Sequence, residues 1–431
     1  MKARLNSFYE FFAGRKAHAS VIYFAAATIL LVSIGGVVSS TIIGLLIALG
    51  ILTLILDKTT QEALLNHKKL MPLTFLLIFV LVWQGIGLFL RGPSGGTPAG
   101  SVLVSALGIA MLLPLLHAAS QHDPSFRDRM LEVLFALGSI AAVLSLGRYF
   151  VMLAQTGYLS AEGLLKLRLV PVGRANHQIL GAGGLAACLF AGFALYPQAS
   201  PYRRRWMWAG FGFIALAIML TQSRGPILSL GLACIAAYVF EKLRDPALRA
   251  PAGLTLAVLC FALPVAMILA EPWIKSLTCT TDSILCRSSY RQNVWFIVFD
   301  MIWDRPWLGI GPGFRFPDAM ISHPHNGLLG LVFYFGLPMA LLFIGIVAFA
   351  IVRTALAPPS PSRTFASLGI FFSLSFIATD LSNPFAFVNT LYIYLWLPVF
   401  LGSILDSCPK EDLQLRCDLQ PARDLGSVSG R

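Results

Sequence analysis

Long apolar stretches separated by short polar ones fill the chain from Ser20 to Leu405. Each stretch is long enough to cross a hydrocarbon core of roughly 30 Å as a helix. The stretches do not alternate polar and apolar residues as outer-membrane strands do, and a backbone in lipid must satisfy its own hydrogen bonds, so the spans are predicted to be helices. The pattern predicts an all-α polytopic membrane protein with about twelve transmembrane helices. The predicted spans are 20–38, 40–57, 72–90, 101–119, 130–154, 177–196, 206–222, 227–241, 252–270, 327–352, 366–381 and 385–405.

The spacing of these spans sets the predicted domain organisation. Residues 1–405 form one transmembrane domain, because little polar sequence is left over for a separate soluble unit. One larger outer loop region with short helices is expected at about 271–326, between the ninth and tenth spans. The tail at 406–431 is polar, lacks an apolar pattern, and is predicted to be disordered. The first apolar stretch is followed at once by another, so it is interpreted as a span and not as a cleavable signal.

Composition supports this class and excludes others. The chain is 57% hydrophobic and 12% charged, far from the roughly 25% charged residues of a soluble domain. Its net charge of +12 could suggest a protein that binds nucleic acid. The basic residues, however, are at the ends of the spans, a distribution that reflects membrane topology. Lys and Arg are found at the amino terminus and in every second loop, which the positive-inside rule places in the cytoplasm together with both termini. These loop residues include Arg203, Arg204, Arg205, Lys242, Arg244, Arg249, Arg353 and Arg363.

The opposite, outer face carries more arginine than topology requires. Arg224 lies in a tight turn between two apolar spans, before Gly225 and Pro226, where a cation is costly unless it has a partner. Arginine is a planar, permanently charged donor suited to phosphate, and the start of a helix favours anions. Arg224 and Arg291 are therefore candidate functional residues; the alternative is that they snorkel to headgroups or are solvated. Three further outer arginines are weaker candidates: Arg168, Arg174 and Arg287.

His323, His325 and Asn326 directly precede the tenth predicted span. A histidine in water-accessible surroundings can accept a proton from a hydroxyl, and His325 is the stronger candidate for this role. Asn326 either orients the imidazole or caps the helix, and the sequence leaves both readings open. The glycine-rich run from Trp307 to Gly313 lacks the ending of a phosphate loop and is interpreted as backbone shaping near a ligand.

Cysteines and carboxylates give no metal pattern. Cys279 and Cys286 lie in the outer loop, where a structural disulfide is expected, with two free thiols as the alternative. Four carboxylates lie on or near the outer face without the spacing of metal ligands or of a paired-carboxylate site: Asp282, Asp304, Asp318 and Asp380. The sequence therefore predicts no metal and no cofactor.

At this point the chain resembles the superfamily of O-antigen ligases, O-antigen polymerases and bacterial O-oligosaccharyltransferases. The resemblance rests on Thr221-Gln-Ser-Arg224-Gly225, on Arg291-Gln-Asn-Val-Trp295 followed by Pro306-Trp-Leu-Gly-Ile-Gly311, and on His325-Asn326 with Gly336 downstream. These motifs lie in the second half of the membrane domain. Ligases often have Gly, Thr or Tyr three residues after that last glycine, where this chain has Met339.

The resemblance implies a GT-C-like, metal-independent glycosyltransferase of the bacterial inner membrane with a periplasmic active site. The donor would be O-antigen linked to undecaprenyl pyrophosphate and the acceptor the lipid A–core oligosaccharide, with membrane lipids around the protein and no nucleic acid. His325, Arg224 and Arg291 would be catalytic, and the reaction would invert the anomeric centre. Binding of the pyrophosphate or glycan would involve Arg168, Arg174, Arg287, Asn326 and His323.

Other functions compete with this one. The same superfamily contains O-antigen polymerases and protein O-oligosaccharyltransferases, whose acceptors differ. A transporter or flippase for a lipid-linked glycan belongs to a different class. It would be expected to carry charges at span centres, where this chain largely lacks Lys and Arg, and the sequence shows no convincing internal repeat.

Overall fold

The computed structural model describes residues 71–91, 99–123, 125–158, 160, 163, 166–172, 177–278, 290–312, 314–317, 321, 323–381, 383–385 and 391–406. Within these ranges all regular structure is helical and no strand occurs. The first two predicted spans and the tail beyond Asp406 lie outside the described residues. The helices are α1 (Met71–Arg91), α2 (Ala99–His122), α3 (Phe126–Gln155), α4 (Gln178–Leu195), α5 (Pro201–Leu220), α6 (Arg224–Lys242), α7 (Pro246–Leu269), α8 (Glu271–Thr278), α9 (Arg291–Asp304), α10 (Gly327–Phe335), α11 (Leu337–Leu356), α12 (Pro361–Asp380) and α13 (Leu397–Ser403).

Seven of the described helices are long and apolar enough to cross a membrane. They are α1, α3, α4, α6, α7, α11 and α12. This confirms the prediction of an all-helical, multi-pass membrane protein. The count of twelve spans, the domain bounds and the GT-C-like architecture stay predictions.

The predicted tenth span, 327–352, is wrong as a single helix. The chain breaks at Gly336, whose φ of 85° separates α10 from α11. A Cβ at this position would overlap the Trp307 carbonyl, so the break needs glycine. The last predicted span, 385–405, also differs, because a π-helical segment, Tyr392–Trp396, leads into the short helix α13.

Three helices begin with a capping side chain followed by proline at one end of the bundle. Ser200 Oγ accepts from Arg203 N at 3.3 Å and Ser360 Oγ accepts from Arg363 N at 3.2 Å. Asp245 Oδ1 accepts from Ala247 N at 2.8 Å. Such caps satisfy amide groups that have no partner within the helix, and proline fits the first turn because it needs no donor there. The sequence thus fixes where α5, α7 and α12 start.

Helix α12 is the centre of the bundle. It packs against α4, α6, α7 and α13, and nearly every one of its residues is buried. Gly369 lets Pro398 of α13 approach closely, and Gly183 of α4 does the same for Phe376. Because α12 is packed on all sides, its last residue, Asp380, is held in a fixed place.

At the end of α12 opposite Asp380, three arginines predicted as loop charges are buried. Arg249 donates to the carbonyls of Leu243 and Ala355, both at 2.9 Å, and Arg353 donates to the carbonyl of Leu405. Arg363 pairs with Glu241. Cations at helix carboxyl ends are stabilised by the unpaired carbonyls and the helix dipole. These three arginines therefore join helix ends within the bundle, in addition to any effect of their charge on membrane orientation.

Candidate functional site

A polar cavity of about 130 Å³ lies at the Asp380 end of α12. The amino-terminal ends of α4, α6 and α9 meet the carboxyl end of α12 there, together with the segment 166–172 that precedes α4. Three guanidinium groups face one carboxylate, so the lining is positively charged overall. The lining residues are Arg168, Ile179, Gln222, Ser223, Arg224, Gly225, Arg291 and Asp380.

Arg168 fastens the turn between α5 and α6. Its Nε donates to the Thr221 carbonyl and its Nη2 to Ser223 Oγ, both at 2.9 Å. Gln222 has a left-handed φ of 51°, and its Nε2 donates to the Leu167 carbonyl at 2.9 Å. The reciprocal bonds between the two segments fix the turn that presents Arg224. Arg168 therefore lines the cavity and also holds the turn that shapes it, while its predicted role in substrate binding stays a prediction.

Arg291 and Asp380 form an ion pair in the wall of the cavity. Arg291 Nη2 donates to Asp380 Oδ1, and Thr379 Oγ1 donates to Asp380 Oδ2 at 3.1 Å. The Asp380 side chain is 1% exposed and that of Arg291 20% exposed. An arginine has five N–H donors, so Arg291 keeps donors for a ligand while the carboxylate holds its position.

Gly225 makes room for this carboxylate. A Cβ built on Gly225 would overlap Asp380 Oδ2 and lie 3.2 Å from Thr379 Oγ1. The first turn of α6 can therefore lie against the last residue of α12 only because position 225 has no side chain. The sequence pointed to Gly225 as part of a built turn, and the close approach to Asp380 is the reason.

The histidine loop is anchored beside the cavity. Trp295 Nε1 of α9 donates to the Pro324 carbonyl at 2.9 Å. Asn326 Oδ1 accepts from the backbone amides of Leu328 and Leu329, and its Nδ2 donates to the Ala378 carbonyl of α12 at 3.0 Å. Asn326 is thus the amino-terminal cap of α10 and a tie to α12. Of the two readings that the sequence left open, the structure shows the cap.

The two histidines contact each other. The His325 backbone N–H donates to His323 Nδ1 at 3.1 Å, and the ring centroids are 3.8 Å apart. Burial, Arg291 and His177 lower the pKa of His325 to about 4. Burial and His325 lower the pKa of His323 to about 4, against the opposite pull of Asp380. Both imidazoles are therefore neutral at pH 7 and able to accept a proton.

The glycine-rich run after α9 packs on the helix break. Ile310 N donates to the Phe333 carbonyl at 2.7 Å, and Leu337 N donates to the Pro306 carbonyl at 2.8 Å. Gly309 has a φ of 67°, and a Cβ there would overlap the backbone of α10. The interpretation as backbone shaping near a ligand is corrected in part: the described residues of the run, 307–312, cap the carboxyl end of α10 and are not among those that line the cavity.

The structure gathers part of the predicted set. Arg168, Arg224 and Arg291 line the cavity, and His323 and His325 lie next to it. Sequence reasoning missed the part played by Asp380, Gln222 and Ser223. Arg174, Arg287, Cys279 and Cys286 lie outside the described residues, so their predicted roles stay predictions. Among the described residues no three His, Cys, Asp or Glu side chains are grouped as metal ligands would be.

The helices and the cavity define a multi-pass membrane protein with an arginine-lined polar site at one end of its bundle. A family model described as O-antigen ligase matches residues 209–344, a range that includes Arg224, Arg291 and His325. The chain is also 24% identical to an O-antigen ligase of Pseudomonas aeruginosa over 357 aligned residues. The aligned region covers 80% of this chain and 81% of that protein. The resemblance to the O-antigen ligase family is thereby confirmed.

Proposed function

We propose that the chain is a glycosyltransferase that moves O-antigen from undecaprenyl pyrophosphate to the lipid A–core oligosaccharide. The observation that carries the proposal is the convergence of Arg168, Arg224 and Arg291 on one cavity, next to two neutral histidines. The match to the O-antigen ligase family supports the same reaction class. The acceptor is the part of the proposal that rests on the family alone, because related folds serve several acceptors.

The cavity suits a pyrophosphate leaving group. As the glycosidic bond breaks, negative charge develops on the departing oxygen, and fixed cations in a site of low dielectric stabilise it. The amino-terminal ends of α4, α6 and α9 add partial positive charge to the same cavity. Arginine does not release its proton, so these groups stabilise charge and do not act as acids.

His325 is proposed to act on the acceptor. The acceptor hydroxyl oxygen attacks the anomeric carbon, the bond from that carbon to the pyrophosphate oxygen breaks, and undecaprenyl pyrophosphate leaves with the electron pair. The hydroxyl proton passes to the neutral His325 imidazole, or is oriented by it if departure runs ahead of attack. A single displacement of this kind inverts the anomeric configuration.

The proposed setting is the periplasmic face of the bacterial inner membrane. Among the described residues, Arg203, Arg249 and Arg363, which the positive-inside rule assigns to the cytoplasm, lie at helix ends opposite the cavity. The lipid carrier would keep its tail between helices and its pyrophosphate at the surface. A GT-C-like architecture with about twelve spans is part of the same proposal.

The test is transfer by the purified full-length protein. Undecaprenyl-pyrophosphate-linked glycan and lipid A–core are mixed with the protein in detergent and EDTA, and the products are resolved by mass. Lipid A–core that gains the glycan mass supports the proposal, including independence from divalent metal. Growth of the chain on the carrier lipid would make the protein a polymerase, and transfer only to an added acceptor protein would make it an O-oligosaccharyltransferase. In a second assay the protein is reconstituted into liposomes, and lipid-linked glycan that crosses the bilayer without any new bond would make it a transporter.

A further inference from the structure

His325 has an unusual backbone conformation. Its φ is 54°, in the left-handed region that side chains other than glycine seldom adopt. Among the described non-glycine residues, Gln222 and Tyr290 share this feature, and both adjoin the cavity: Gln222 lines it and Tyr290 precedes Arg291. Such conformations are unfavourable for a residue with a side chain and persist where neighbouring groups hold them. Contacts with neighbouring residues must therefore hold the His325 backbone in this conformation.

His323 supplies one such restraint. Its Nδ1 accepts the His325 backbone N–H at 3.1 Å, and the two rings are 3.8 Å apart, inclined by 40°. The contact fixes the tautomer of His323, because an Nδ1 that accepts a hydrogen bond carries no proton, so the proton of the neutral ring is on Nε2. Pro324 between them is held by Trp295 through its carbonyl, which leaves the short loop little freedom.

We propose that His323 is a positioning residue for glycosyl transfer: its Nδ1 accepts the His325 backbone N–H and so holds the His325 backbone in the left-handed conformation that aims its imidazole. This inference rests on the proposed function, in which His325 acts on the acceptor hydroxyl. It replaces the substrate-binding role that the sequence suggested for His323. An imidazole aimed from a fixed backbone loses little orientation before reaction, and a misplacement of about 1 Å can cost on the order of 10²-fold in rate.

The surroundings keep the restraint intact over the physiological pH range. The groups with an electrostatic effect on His323 are His325 on its own loop, His177 before α4, Arg291 of α9 and Asp380 of α12. Their net effect with burial lowers the pKa of His323 to about 4, so its Nδ1 stays free to accept from His325. Protonation of His323 would remove that acceptor and place a second cation near Arg291.

Two near-isosteric substitutions separate the acceptor from the rest of the ring. In His323→Asn the amide oxygen takes about the place of Nδ1, whereas in His323→Gln it lies one methylene further out. His323→Ala removes the acceptor and the ring together. Steady-state transfer by the full-length proteins is measured with donor and lipid A–core, with kcat and KM determined separately at several pH values, and melting temperatures report on folding.

The expected results are specific to a positioning role. His323→Asn should keep kcat within a few-fold of the wild type, while His323→Gln and His323→Ala should lose on the order of 10²-fold in kcat with little change in the KM of either substrate. In His323→Ala the acid limb of kcat should also move up toward pH 6.5, because His325 loses the burial that lowers its pKa.

Other outcomes overturn the inference. Equal losses in His323→Asn and His323→Ala would mean that the imidazole itself is needed, and a raised KM with unchanged kcat would mean substrate binding. Wild-type kcat in all three variants would leave His323 without a role. A fully active His325→Ala protein would instead refute the proposed function on which the inference rests, so the two failures are distinguishable.

Discussion

Arg291 of α9 donates to the carboxylate of Asp380, the last residue of the central helix α12. The two residues are 89 positions apart in the chain, and the carboxylate is almost completely buried. The most buried of the seven described helices that could span a membrane thus sets the position of an arginine that lines the cavity. Since Asp380 also contacts the α6 turn at Gly225, it joins the segments that carry Arg224 and Arg291.

Asp380→Asn should lower both transfer and stability. The amide keeps the shape but not the charge, so Arg291 loses its partner and its fixed orientation. We expect a fall in kcat of about 10²-fold, and a destabilisation of roughly 3 kcal/mol because one member of a largely buried pair is removed. Asp300→Asn is the matched control, since Asp300 is exposed on the same helix as Arg291. Activity of Asp380→Asn equal to that of Asp300→Asn would rule out this role for the pair.

Gly225→Ala should disturb the position of the Asp380 carboxylate by steric overlap, without any change of charge. The added methyl group would overlap Asp380 Oδ2, so either the carboxylate or the first turn of α6 must move. Transfer should fall at least tenfold, as expected when positioned groups shift by a fraction of an ångström to 1 Å.

Gly231→Ala provides the control for Gly225→Ala within the same helix. A Cβ at Gly231 meets nothing within 4 Å, so this change should leave transfer unaltered and can add up to about 1 kcal/mol of helix stability. The two variants carry the same glycine-to-alanine change at two different positions of α6. Equal transfer rates would show that the close approach of Asp380 to residue 225 is unimportant.

The half-buried His323 and His325 make stability depend on pH. The pKa of His323 and His325 is about 4 in the folded protein, against 6.5 for an exposed histidine. Between these values the unfolded chain binds more protons than the folded one, so the free energy of unfolding should fall as pH drops from 6.5 toward 4. His323→Asn removes one such group, and its melting temperature should fall less steeply over that range. Parallel curves for the two proteins would contradict the pKa assignments.

The sequence predicts the helices well because apolar length alone decides them in lipid. The predicted spans 72–90 and 177–196 closely match α1, Met71–Arg91, and α4, Gln178–Leu195. The break at Gly336 was missed since α10 and α11 form one uninterrupted apolar run, although Gly336 followed by Pro338 is a signal that could have revealed it. Asn326 directly before that run is likewise the usual signature of a helix cap.

The site was predicted only where a residue is unusual for its segment. Arg168, Arg224 and Arg291 stand out because outer-face arginines exceed what topology needs, and they do meet at one cavity. Asp380 did not stand out, since a carboxylate at the end of a span looks like any solvated helix end until its partner 89 residues away is known. The same limit applies to Arg249. In the sequence it looks like an ordinary basic loop residue, whereas in the structure it is buried and donates to the carbonyls at two helix ends.

The most direct test of the proposed pyrophosphate site is the single-turnover rate of glycan transfer by Arg224→Ala. Arg224 lines the cavity from the first residue of α6, so its loss should remove stabilisation of the departing pyrophosphate. The matched control is Arg205→Ala, an exposed arginine at the opposite end of the bundle. We expect a rate about 10²-fold lower for Arg224→Ala at an unchanged melting temperature, with Arg205→Ala equal to the wild type. Equal transfer rates for Arg224→Ala and the wild type would contradict the assignment of this cavity to the pyrophosphate.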